Sequence, residues 1–397
     1  MSLPRMLVLG WASEGTGFTR VLKEVLGPLT EYFEIHQVGI GYHGPQLDGA
    51  WSLYPCDSDG SDMYGVFAAE ALIERLAPDV VFLLHDIWMF EYYFRILKPD
   101  QQAFRTVVYF PLDGLIDDVR IAEPLLKADT LVTYTQRAAD ETTRALHAVA
   151  RRGEVVSEVH VIAHGVDTRS FYPLAAEGKN VAIKREVFPS LQDVEEAFVV
   201  LNASRPDVRK RLDITLKGFA LFAEGKPAGV KLCLHHAKSN DQVQRELREL
   251  ALSLGIADRI LWSPLSADVE PLSDVELNRL YNACDVGLNT SSGEGWGLVS
   301  CEHAATGKPQ VVPDHSACSE IWQGAAELVE PIGFRVPNYS PLKMAELSAE
   351  GVAAALEVIY QDPEYCHTLG EAGRARMKTP EWQWPAIAEK WRQLLLQ

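Results

Sequence analysis

The chain has 397 residues, 47% of them hydrophobic and 23% charged, and its formal net charge at pH 7 is −18. That length suits two domains rather than one core, and the negative charge argues against nucleic acid or an anionic lipid surface as a partner. No apolar run approaches the roughly 20 residues of a membrane span, and the N-terminus lacks a signal-peptide pattern. We therefore expect a cytoplasmic protein with no membrane span.

Strand-like and helical segments alternate through the first half of the chain. The pattern predicts strands at 6–9, 33–40, 80–84, 106–110 and 130–133, and helices at 19–29 and 63–76. Near-continuous apolar strands separated by helices indicate a parallel sheet that is covered on both faces. The first half is therefore predicted to be an α/β domain of the doubly wound kind.

The same alternation restarts in the second half. It predicts strands at 197–202, 231–235, 260–262, 286–288 and 310–312. Between the halves, a stretch of mixed charge contains Pro173, Gly178 and Pro189, a composition typical of an interdomain connection. We predict a first domain at 1–170, a linker at 171–194, a second domain at 195–379 and a C-terminal helix within 380–397.

The most informative stretch runs from Ser292 to Glu302. It contains two carboxylates, Glu294 and Glu302, eight positions apart, with a Gly-Trp-Gly turn between them. The turn follows a predicted strand and leads into a predicted helix, so bare amides and the positive helix end would face an anion. An ionised carboxylate only accepts hydrogen bonds and suits sugar or ribose hydroxyls. The pattern predicts a site for a sugar nucleotide.

A basic segment from Arg205 to Arg211 follows the first strand of the second half. It places four cations within seven residues, at the carboxyl end of a strand, where doubly wound sheets bind ligands. Arginine and lysine there suit a diphosphate. The alternative is a solvated basic turn, which the position after a strand in an acidic protein disfavours.

A glycine-containing loop with Gly15 and Gly17 follows the first strand, and glycines allow a ligand to approach the backbone closely. A dinucleotide-binding fingerprint fits poorly, because the glycine spacing differs and the second strand ends at Ile40 without a ribose-binding acid. Tight turns also use glycine for purely structural reasons. We take both glycines as candidate donor-binding residues.

Two polar residues end neighbouring strands of the first half. His85 follows the strand at 80–84, and Asp113 follows the strand at 106–110. If the sheet is parallel, both side chains lie at the same edge. Singly, either residue is more typical of a turn or of a satisfied polar group. Together they are candidates for donor binding (His85) and for catalysis (Asp113).

No pattern of metal ligands stands out in the sequence. The six cysteines form no Cys-x-x-Cys pair, and the adjacent His235 and His236 would point to opposite sides of a strand. A Gly-x-Ser-x-Gly motif for a hydrolase nucleophile is absent as well. We predict no metal site and no required cofactor.

With these residues placed, the chain resembles retaining glycosyltransferases of the GT-B fold, specifically glycosyltransferase family 4. The segment from Glu294 to Glu302 matches that family's Glu-x7-Glu signature, and Arg205 with Lys210 matches its phosphate-binding pair. Further matches, in the family's order, are Ile162–Thr168 with Phe171 and Pro173, Gly307-Lys308-Pro309, and Ser319-Glu320-Ile321. The matches cover nearly the whole chain.

The resemblance implies an α/β protein of GT-B architecture, with two facing Rossmann-like doubly wound domains and a cleft between them. It implies that Glu302 binds the ribose hydroxyls of the donor and that Glu294 lies near the transferred sugar. Arg205 and Lys210 would stabilise the departing diphosphate. The residues whose amides would meet sugar or phosphate are Gly295, Trp296, Gly297 and Leu298. The last helix would pack on the first domain, which would hold the acceptor.

The sequence departs from the family at two positions. Many members have a histidine at the strand end where this chain has Asp113, and we expect Asp113 to take over positioning of the sugar. His303 replaces the alanine that commonly follows the second glutamate, and we expect it to be structural.

We predict a retaining hexosyltransferase that uses a nucleoside diphosphate sugar, UDP- or GDP-linked, and a carbohydrate or glycoconjugate acceptor. Catalysis would rest on Arg205, Lys210, Glu294 and Asp113. The alternatives are a GT-B sugar-nucleotide epimerase and a non-catalytic scaffold that binds sugar nucleotides. A dehydrogenase ranks third because its fingerprint fails.

Overall fold

The computed structural model describes residues 3–13, 15–57, 59–175, 180–235, 241–262 and 272–397. Gly178 and His236, which are named above, lie outside these ranges. The chain divides into two compact units, one made of Met1–His164 with Trp384–Gln397 and the other of Gly165–Gln383. The segment 171–194, predicted as a linker, is grouped with the second unit and includes a helix at Val181–Val187.

The first unit contains eight strands and five helices within the described residues. The strands are β1 Arg5–Trp11, β2 Glu34–Ile40, β3 Leu47–Asp48, β4 Ser52–Pro55, β5 Val80–Leu84, β6 Arg105–Phe110, β7 Thr130–Thr133 and β8 Val159–Val161. The helices are α1 Gly17–Leu29, α2 Val66–Leu76, α3 Phe90–Leu97, α4 Gln136–Val149 and, at the C-terminus, α13 Trp384–Leu395.

These strands form one sheet in the order β3-β4-β2-β1-β5-β6-β7-β8, in which only the β3–β4 pair is antiparallel. The chain builds outward from β1 in one direction and then from β5 in the other. Such a reversal leaves a crevice at the carboxyl ends of the two central strands, where open α/β sheets bind ligands. In this unit the crevice lies between β1 and β5.

The C-terminal helix α13 belongs to the first unit. Its apolar stripe is buried, and the ring of Trp391 packs edge-on against Phe82 with ring centroids 5.1 Å apart. Arg105 of β6 donates to the carbonyl oxygens of Leu394 (3.2 Å) and Leu395 (3.4 Å). These hydrogen bonds satisfy carbonyls that the end of a helix would otherwise leave without partners.

The second unit contains eight strands and eight helices within the described residues. The strands are β9 Phe198–Asn202, β10 Val230–Leu234, β11 Ile260–Trp262, β12 Val286–Leu288, β13 Gln310–Pro313, β14 Glu327–Val329, β15 Gly333–Arg335 and β16 Met344–Glu346. The helices are α5 Val181–Val187, α6 Leu212–Ala223, α7 Asp241–Ser253, α8 Asp274–Ala283, α9 Leu298–Ala305, α10 Ser316–Ile321, α11 Ala349–Gln361 and α12 Pro363–Met377.

Six of these strands form a fully parallel sheet in the order β11-β10-β9-β12-β13-β14. The direction of building reverses between β9 and β12. Helices α6 and α11 contribute Phe219 and Leu356 to the core that covers this sheet, and both side chains are fully buried. The apolar face is therefore closed, and the loops at the carboxyl ends of β9 and β12 are the parts free to bind a ligand.

Several features differ from the sequence-based expectations, among them the short strands β3, β4, β8 and β14, which were not predicted. Helix α2 begins at Val66 and not at Met63, because Gly65 takes a left-handed conformation with φ of 73° that a helix cannot continue. The antiparallel hairpin β15–β16 was not predicted, since its short strands, Gly-Phe-Arg and Met-Ala-Glu, lack a continuous apolar pattern. None of the helices in the described ranges is both long and apolar enough to cross a bilayer.

Candidate functional site

The candidate site of the second unit is formed by two loops that follow neighbouring strands. Loop A, residues 203–211, follows β9, and loop B, residues 289–297, follows β12. The two strands pair in parallel, with Val200 opposite Val286 and Leu201 opposite Gly287. Both loops therefore leave the sheet at the same edge, at the point where the strand order reverses.

Buried side-chain hydrogen bonds hold loop A in place. Asn202 donates to the hydroxyl of Thr215 at 2.8 Å, and its carbonyl oxygen accepts from the amide of Ser204 at 2.9 Å. Thr215 and Thr290 share a hydrogen bond of 2.6 Å, and Thr290 lies within 3.1 Å of the Lys210 carbonyl oxygen. The hydrogen-bonded hydroxyls of Thr215 and Thr290 therefore join the two loops without a ligand.

At the centre of the site, Glu294 of loop B receives cationic and neutral donors from both loops. Its Oε2 accepts from Lys210 Nζ at 2.5 Å, from Ser291 Oγ at 3.1 Å and from Asn289 Nδ2 at 3.3 Å. Arg209 Nη1 lies 3.9 Å from Oε1 and also donates to the carbonyl of Gly293. A buried carboxylate with so many donors is fully compensated.

These contacts set the ionisation of Glu294, which is 6% exposed. Burial raises the pKa of its carboxyl, but the ammonium of Lys210 and the guanidinium of Arg209 outweigh burial and bring it to about 2. At neutral pH the group is a carboxylate that accepts hydrogen bonds and has no proton to donate. It can hold a hydroxyl-bearing ligand or orient Lys210.

The glycine turn leads into helix α9 as the sequence predicts. Gly297 has φ of 94°, and the helix starts at Leu298 without a side-chain cap. The first amides of such a helix lack intrahelical partners and carry the positive end of the helix dipole. A Cβ at Gly297 would lie 3.4 Å from the Glu294 side chain, in ordinary contact, so the need for glycine is conformational.

The other residues of the signature are buried around this turn. Trp296 is 4% exposed, and its ring lies 5.1 Å from that of Trp382 in the same unit. Glu302, on α9, is 5% exposed and accepts from the hydroxyl of Tyr281 at 3.1 Å. His303 contacts the Tyr281 carbonyl at 3.1 Å and Gln310 at 3.2 Å, and its structural role stays a prediction.

Of the basic segment, Arg209 and Lys210 contact Glu294, whereas Arg205 does not. Arg205 is exposed, and within the described residues its side chain has no hydrogen bond or ion pair. Arg209 lies beside Glu294 instead, because the 3-10 turn Val208–Lys210 directs both Arg209 and Lys210 towards loop B. Arg209 is the site residue that sequence reasoning missed, although it stands in the same basic segment.

In the first unit, the glycine loop and the strand ends lie at the β1–β5 crevice. Gly15 has φ of 77°, and Gly17 begins α1, whose cap is the Thr16 hydroxyl accepting from the Thr19 amide at 3.2 Å. Both glycines are exposed. The described part of this loop therefore presents bare backbone at the start of a helix, as a ligand-binding loop requires.

His85 ends β5 beneath this loop and is 5% exposed. Its Nδ1 accepts from the Asp86 amide at 2.8 Å, and burial lowers the pKa of the imidazole to about 4. The ring is therefore neutral at pH 7, with its proton on Nε2, and within the described residues that buried nitrogen has no hydrogen-bond partner. Rings with centroids 5.5–6.4 Å away surround it, from Trp11, Phe18, Tyr64 and Tyr93.

Tyr134, just after β7, is a second buried donor at the same edge of this sheet. Burial raises the pKa of its hydroxyl well above the ordinary value, and the neighbouring charges of Asp86 and Asp113 raise it further. The hydroxyl is buried and has no hydrogen-bond partner in the described part of the chain. Asp113 is 7% exposed and lies close enough to Tyr134 to influence it. Nothing in the sequence alone singles out Tyr134.

Across the described residues, no group of three or more His, Cys, Asp or Glu side chains is arranged to hold a metal ion. The negative charge of Glu294 is compensated by the side chains of Lys210 and Arg209.

Comparison with known proteins finds a similarity that is concentrated in the second unit. Residues 197–361 match the family model described as glycosyl transferases group 1. Mannosylfructose-phosphate synthase of Agrobacterium fabrum is 30% identical over 161 residues, which are 40% of this chain and 33% of that protein. D-inositol 3-phosphate glycosyltransferase of Streptomyces avermitilis is 29% identical over 266 residues, 66% of this chain and 50% of that protein. The chain spans between a third and a half of these relatives' length.

Solved structures share the fold over the whole chain. Sucrose-phosphate synthase from Thermosynechococcus elongatus superposes with a TM-score of 0.75 at 17% identity, covering 99% of this chain and 98% of that one. Anabaena HepE, solved in complex with UDP and glucose, has a TM-score of 0.68 at 16% identity and covers 99% of both chains. The predicted α/β GT-B fold is confirmed, and residues 197–361 are similar to group 1 glycosyl transferases.

Proposed function

We propose that this protein is a retaining glycosyltransferase of family 4, which moves a hexose from a nucleoside diphosphate sugar to an acceptor hydroxyl. The observation that carries the proposal is the contact of Lys210 with Glu294 at 2.5 Å, beside the start of α9 and at the carboxyl ends of β9 and β12. This contact places the Lys210 ammonium, which can bind the diphosphate, next to the Glu294 carboxylate, which can accept hydrogen bonds from sugar hydroxyls. A UDP-sugar is the first donor to test, because HepE was solved with UDP and glucose.

The donor's parts are assigned to separate residues. Lys210 and the exposed Arg205 bind the diphosphate, together with the first amides of α9, at Leu298 and the residues after it. The turn Gly295, Trp296 and Gly297 meets the boundary between phosphate and sugar. Glu302 accepts hydrogen bonds from the ribose. These assignments follow the family resemblance, and the geometry around loops A and B supports them.

The reaction we infer breaks the bond between the anomeric carbon and the diphosphate oxygen while the acceptor oxygen bonds to the same face of that carbon. The charge that develops on the leaving diphosphate is stabilised by Lys210, Arg205 and the helix dipole. The acceptor proton passes to the leaving phosphate oxygen. Glu294, with its low pKa, accepts hydrogen bonds from the sugar and keeps Lys210 in place.

In this proposal the acceptor substrate binds to the first unit. His85 and Tyr134 offer buried N–H and O–H donors, and Asp113 offers a carboxylate, at the edge of one sheet. Such a mixture of neutral donors and an acceptor, with aromatic rings around His85, suits a carbohydrate. The assignment of His85 to donor binding, made from the sequence, stays a prediction beside this one. Sugar phosphates and inositol phosphates are the first acceptors to test, given the names of the relatives. The cytoplasmic location stays a prediction.

The decisive experiment incubates the protein with UDP-glucose or a GDP-hexose and each acceptor, and follows nucleotide release and the anomeric signals by NMR. We expect nucleoside diphosphate release that depends on acceptor, and a product with the donor's anomeric configuration. An inverted product would contradict retention. An epimerised donor would favour the epimerase, and binding without consumption would favour the scaffold.

A thermal-shift screen with UDP, GDP and ADP identifies the base before activity is known. A ligand at a hundred times its dissociation constant adds about 2.7 kcal/mol to the free energy of unfolding, which is readily visible as a shift in midpoint. If none of the three nucleotides produces a shift, the donor site assigned to loops A and B is wrong.

A further inference from the structure

The hairpin β15–β16 and the segment that joins its strands return to loop B. The hydroxyl of Tyr339 lies 2.9 Å from Ser292 Oγ, and the amide of Ala345 donates to the Ser292 carbonyl at 2.8 Å. Ser292 is 2% exposed, whereas Tyr339 is 39% exposed. A partly exposed tyrosine outside both loops therefore contacts a buried residue two positions before Glu294.

Ser292 also contacts loop A. Its amide donates to the Arg209 carbonyl at 2.8 Å, and its hydroxyl contacts the same carbonyl oxygen at 3.1 Å. A serine hydroxyl has one proton to give. When that proton goes to the Arg209 carbonyl, the hydrogen bond to Tyr339 is made by the tyrosine as donor. The sequence of hydrogen bonds then runs from Tyr339 through Ser292 to the backbone of Arg209.

These hydrogen bonds end at the backbone of loop A, which bears the cationic side chains of the site. Arg209 donates to the Gly293 carbonyl, and Lys210 pairs with Glu294. On the other side, the hairpin lies near Arg211, whose pKa is raised chiefly by its hydrogen bonds to Asp213, with Tyr339 and Glu346 adding to the effect. Hairpin, loop A and loop B therefore meet around Ser292.

We propose that Tyr339 is a positioning residue of the diphosphate site, which fixes loop A against loop B through Ser292. The inference rests on the proposed function for its consequence, the binding of a nucleoside diphosphate. It explains why a short hairpin is attached to this unit although it is not part of the six-stranded sheet. Tyr339 itself touches no reacting group; it acts through the backbone that bears Arg209 and Lys210.

The test compares Tyr339→Phe with a matched control, Tyr365→Phe. The hydroxyl of Tyr365 donates to Glu327 at 2.9 Å in the same unit, between α12 and β14. Both changes delete one phenolic hydroxyl and keep the ring. Two quantities are measured for each variant, the amide hydrogen exchange of residues 203–211 and 289–297, and the dissociation constant of UDP by calorimetry.

We expect Tyr339→Phe to raise exchange in both loops and to weaken UDP binding about fivefold, the equivalent of one ordinary hydrogen bond. Tyr365→Phe should change neither quantity. In a Ser292→Ala background, Tyr339→Phe should have no further effect on exchange, because the connection is already broken. If only the ring of Tyr339 mattered, by packing against the loops, Tyr339→Phe would leave exchange unchanged, because phenylalanine keeps the ring.

The inference and the proposed function fail in different ways. Equal exchange in Tyr339→Phe and Tyr365→Phe, or additive effects with Ser292→Ala, would overturn the role of Tyr339. A wild-type protein that binds no nucleoside diphosphate would overturn the proposed function, and with it the assignment of Tyr339 to a diphosphate site. The role proposed for Tyr339 requires that Tyr339→Phe both raises amide exchange in the two loops and weakens UDP binding.

Discussion

The site of the second unit and the strand ends of the first unit both lie at the carboxyl ends of parallel strands, yet their polar groups are satisfied in opposite ways. In the second unit, charge is paired within the protein, since Glu294 receives Lys210, Ser291 and Asn289. In the first unit, the described contacts leave His85 Nε2 and the Tyr134 hydroxyl buried without a partner. An unpaired buried donor costs about 1–3 kcal/mol.

The difference indicates two kinds of ligand. A paired ammonium and carboxylate can reorganise around an incoming anion and its hydroxyls without ever leaving a charge exposed to an apolar interior. Neutral donors without partners instead gain hydrogen bonds only when a ligand supplies acceptors, as sugar hydroxyls do. In the proposed function, this difference favours a diphosphate at the charged loops and a sugar acceptor at the strand ends of the first unit.

The largest effect should come from Lys210→Ala. It leaves the Glu294 carboxylate buried without its main cation, which typically costs 3–5 kcal/mol of stability, and it removes a transition-state cation, which costs about 100- to 1000-fold in turnover. Thermal unfolding and turnover measure the two losses. A variant with normal turnover would show that the ion pair is structural only.

Two controls separate the two losses. Lys217→Ala, which removes a cation from a surface pair with Asp213 at 3.7 Å, should change stability by less than about 1 kcal/mol and leave turnover intact. Lys210→Ala combined with Glu294→Gln removes the buried charge, so stability should recover while turnover stays low. Recovery of both properties would contradict a chemical role for Lys210.

Arg205→Ala should reduce turnover by about a hundredfold, since one donor lost at such a site raises the barrier by about 3 kcal/mol. Stability should not change, because the side chain is exposed and makes no hydrogen bond or ion pair among the described residues. Arg205→Ala should therefore lower turnover alone, whereas Lys210→Ala should lower both turnover and stability. Unchanged turnover would remove Arg205 from the site and leave Arg209 as the second cation.

The strength of a local signal decides which parts of this molecule sequence reasoning could predict. The continuous apolar run Val80–Leu84 is a strand with the predicted bounds, because a buried parallel strand needs no partner information to be recognised. The glycine turn before α9 was equally readable, since Gly297 must adopt a positive φ.

The missed features depend on contacts between distant residues. Arg209 takes the place beside Glu294 because a three-residue turn directs it there, and a run of cations does not reveal which one faces inward. Tyr134 resembles any tyrosine at a strand end until its hydroxyl is found buried without a partner. The hairpin β15–β16 has strands too short for a periodic pattern.

The neutral state of His85 predicts a pH dependence. Its pKa is lowered from 6.5 unfolded to about 4 folded, so the unfolded chain binds the proton more readily between these values. The stability that neutral His85 contributes is complete above pH 6.5 and is lost as the pH falls towards 4, on the order of 2–3 kcal/mol. His85→Asn, which keeps an acceptor near the Asp86 amide, should remove this part of the acid destabilisation.

The measurement is the thermal midpoint of wild type and variant between pH 7.5 and roughly pH 4, in steps across the window. His43→Asn is the control, because His43 lies in the same unit with a side chain that is 57% exposed. Its curve should follow that of the wild type. If the His85→Asn curve also follows it, the imidazole is not held in the neutral form by burial.

The smallest and most discriminating change is Tyr134→Phe, compared with Tyr109→Phe. The two rings lie 4.6 Å apart and both are fully buried, but the Tyr109 hydroxyl donates to the Ile162 carbonyl at 2.9 Å while that of Tyr134 has no partner among the described residues. Removing a satisfied hydroxyl should cost about 1–3 kcal/mol, whereas removing an unsatisfied one should be neutral or stabilise by up to about 1 kcal/mol.

If Tyr134 binds the acceptor, the same variant should raise the acceptor KM about fivefold and leave the donor KM unchanged, because one hydrogen bond to the ligand is lost. Higher stability together with weaker binding of the acceptor substrate is the result expected for a hydroxyl that has a hydrogen-bond partner only when the ligand is bound. Equal destabilisation by Tyr134→Phe and Tyr109→Phe would instead mean that the Tyr134 hydroxyl has a structural partner. The first unit would then satisfy its polar groups internally, as the second does, and the contrast between the two sites would disappear.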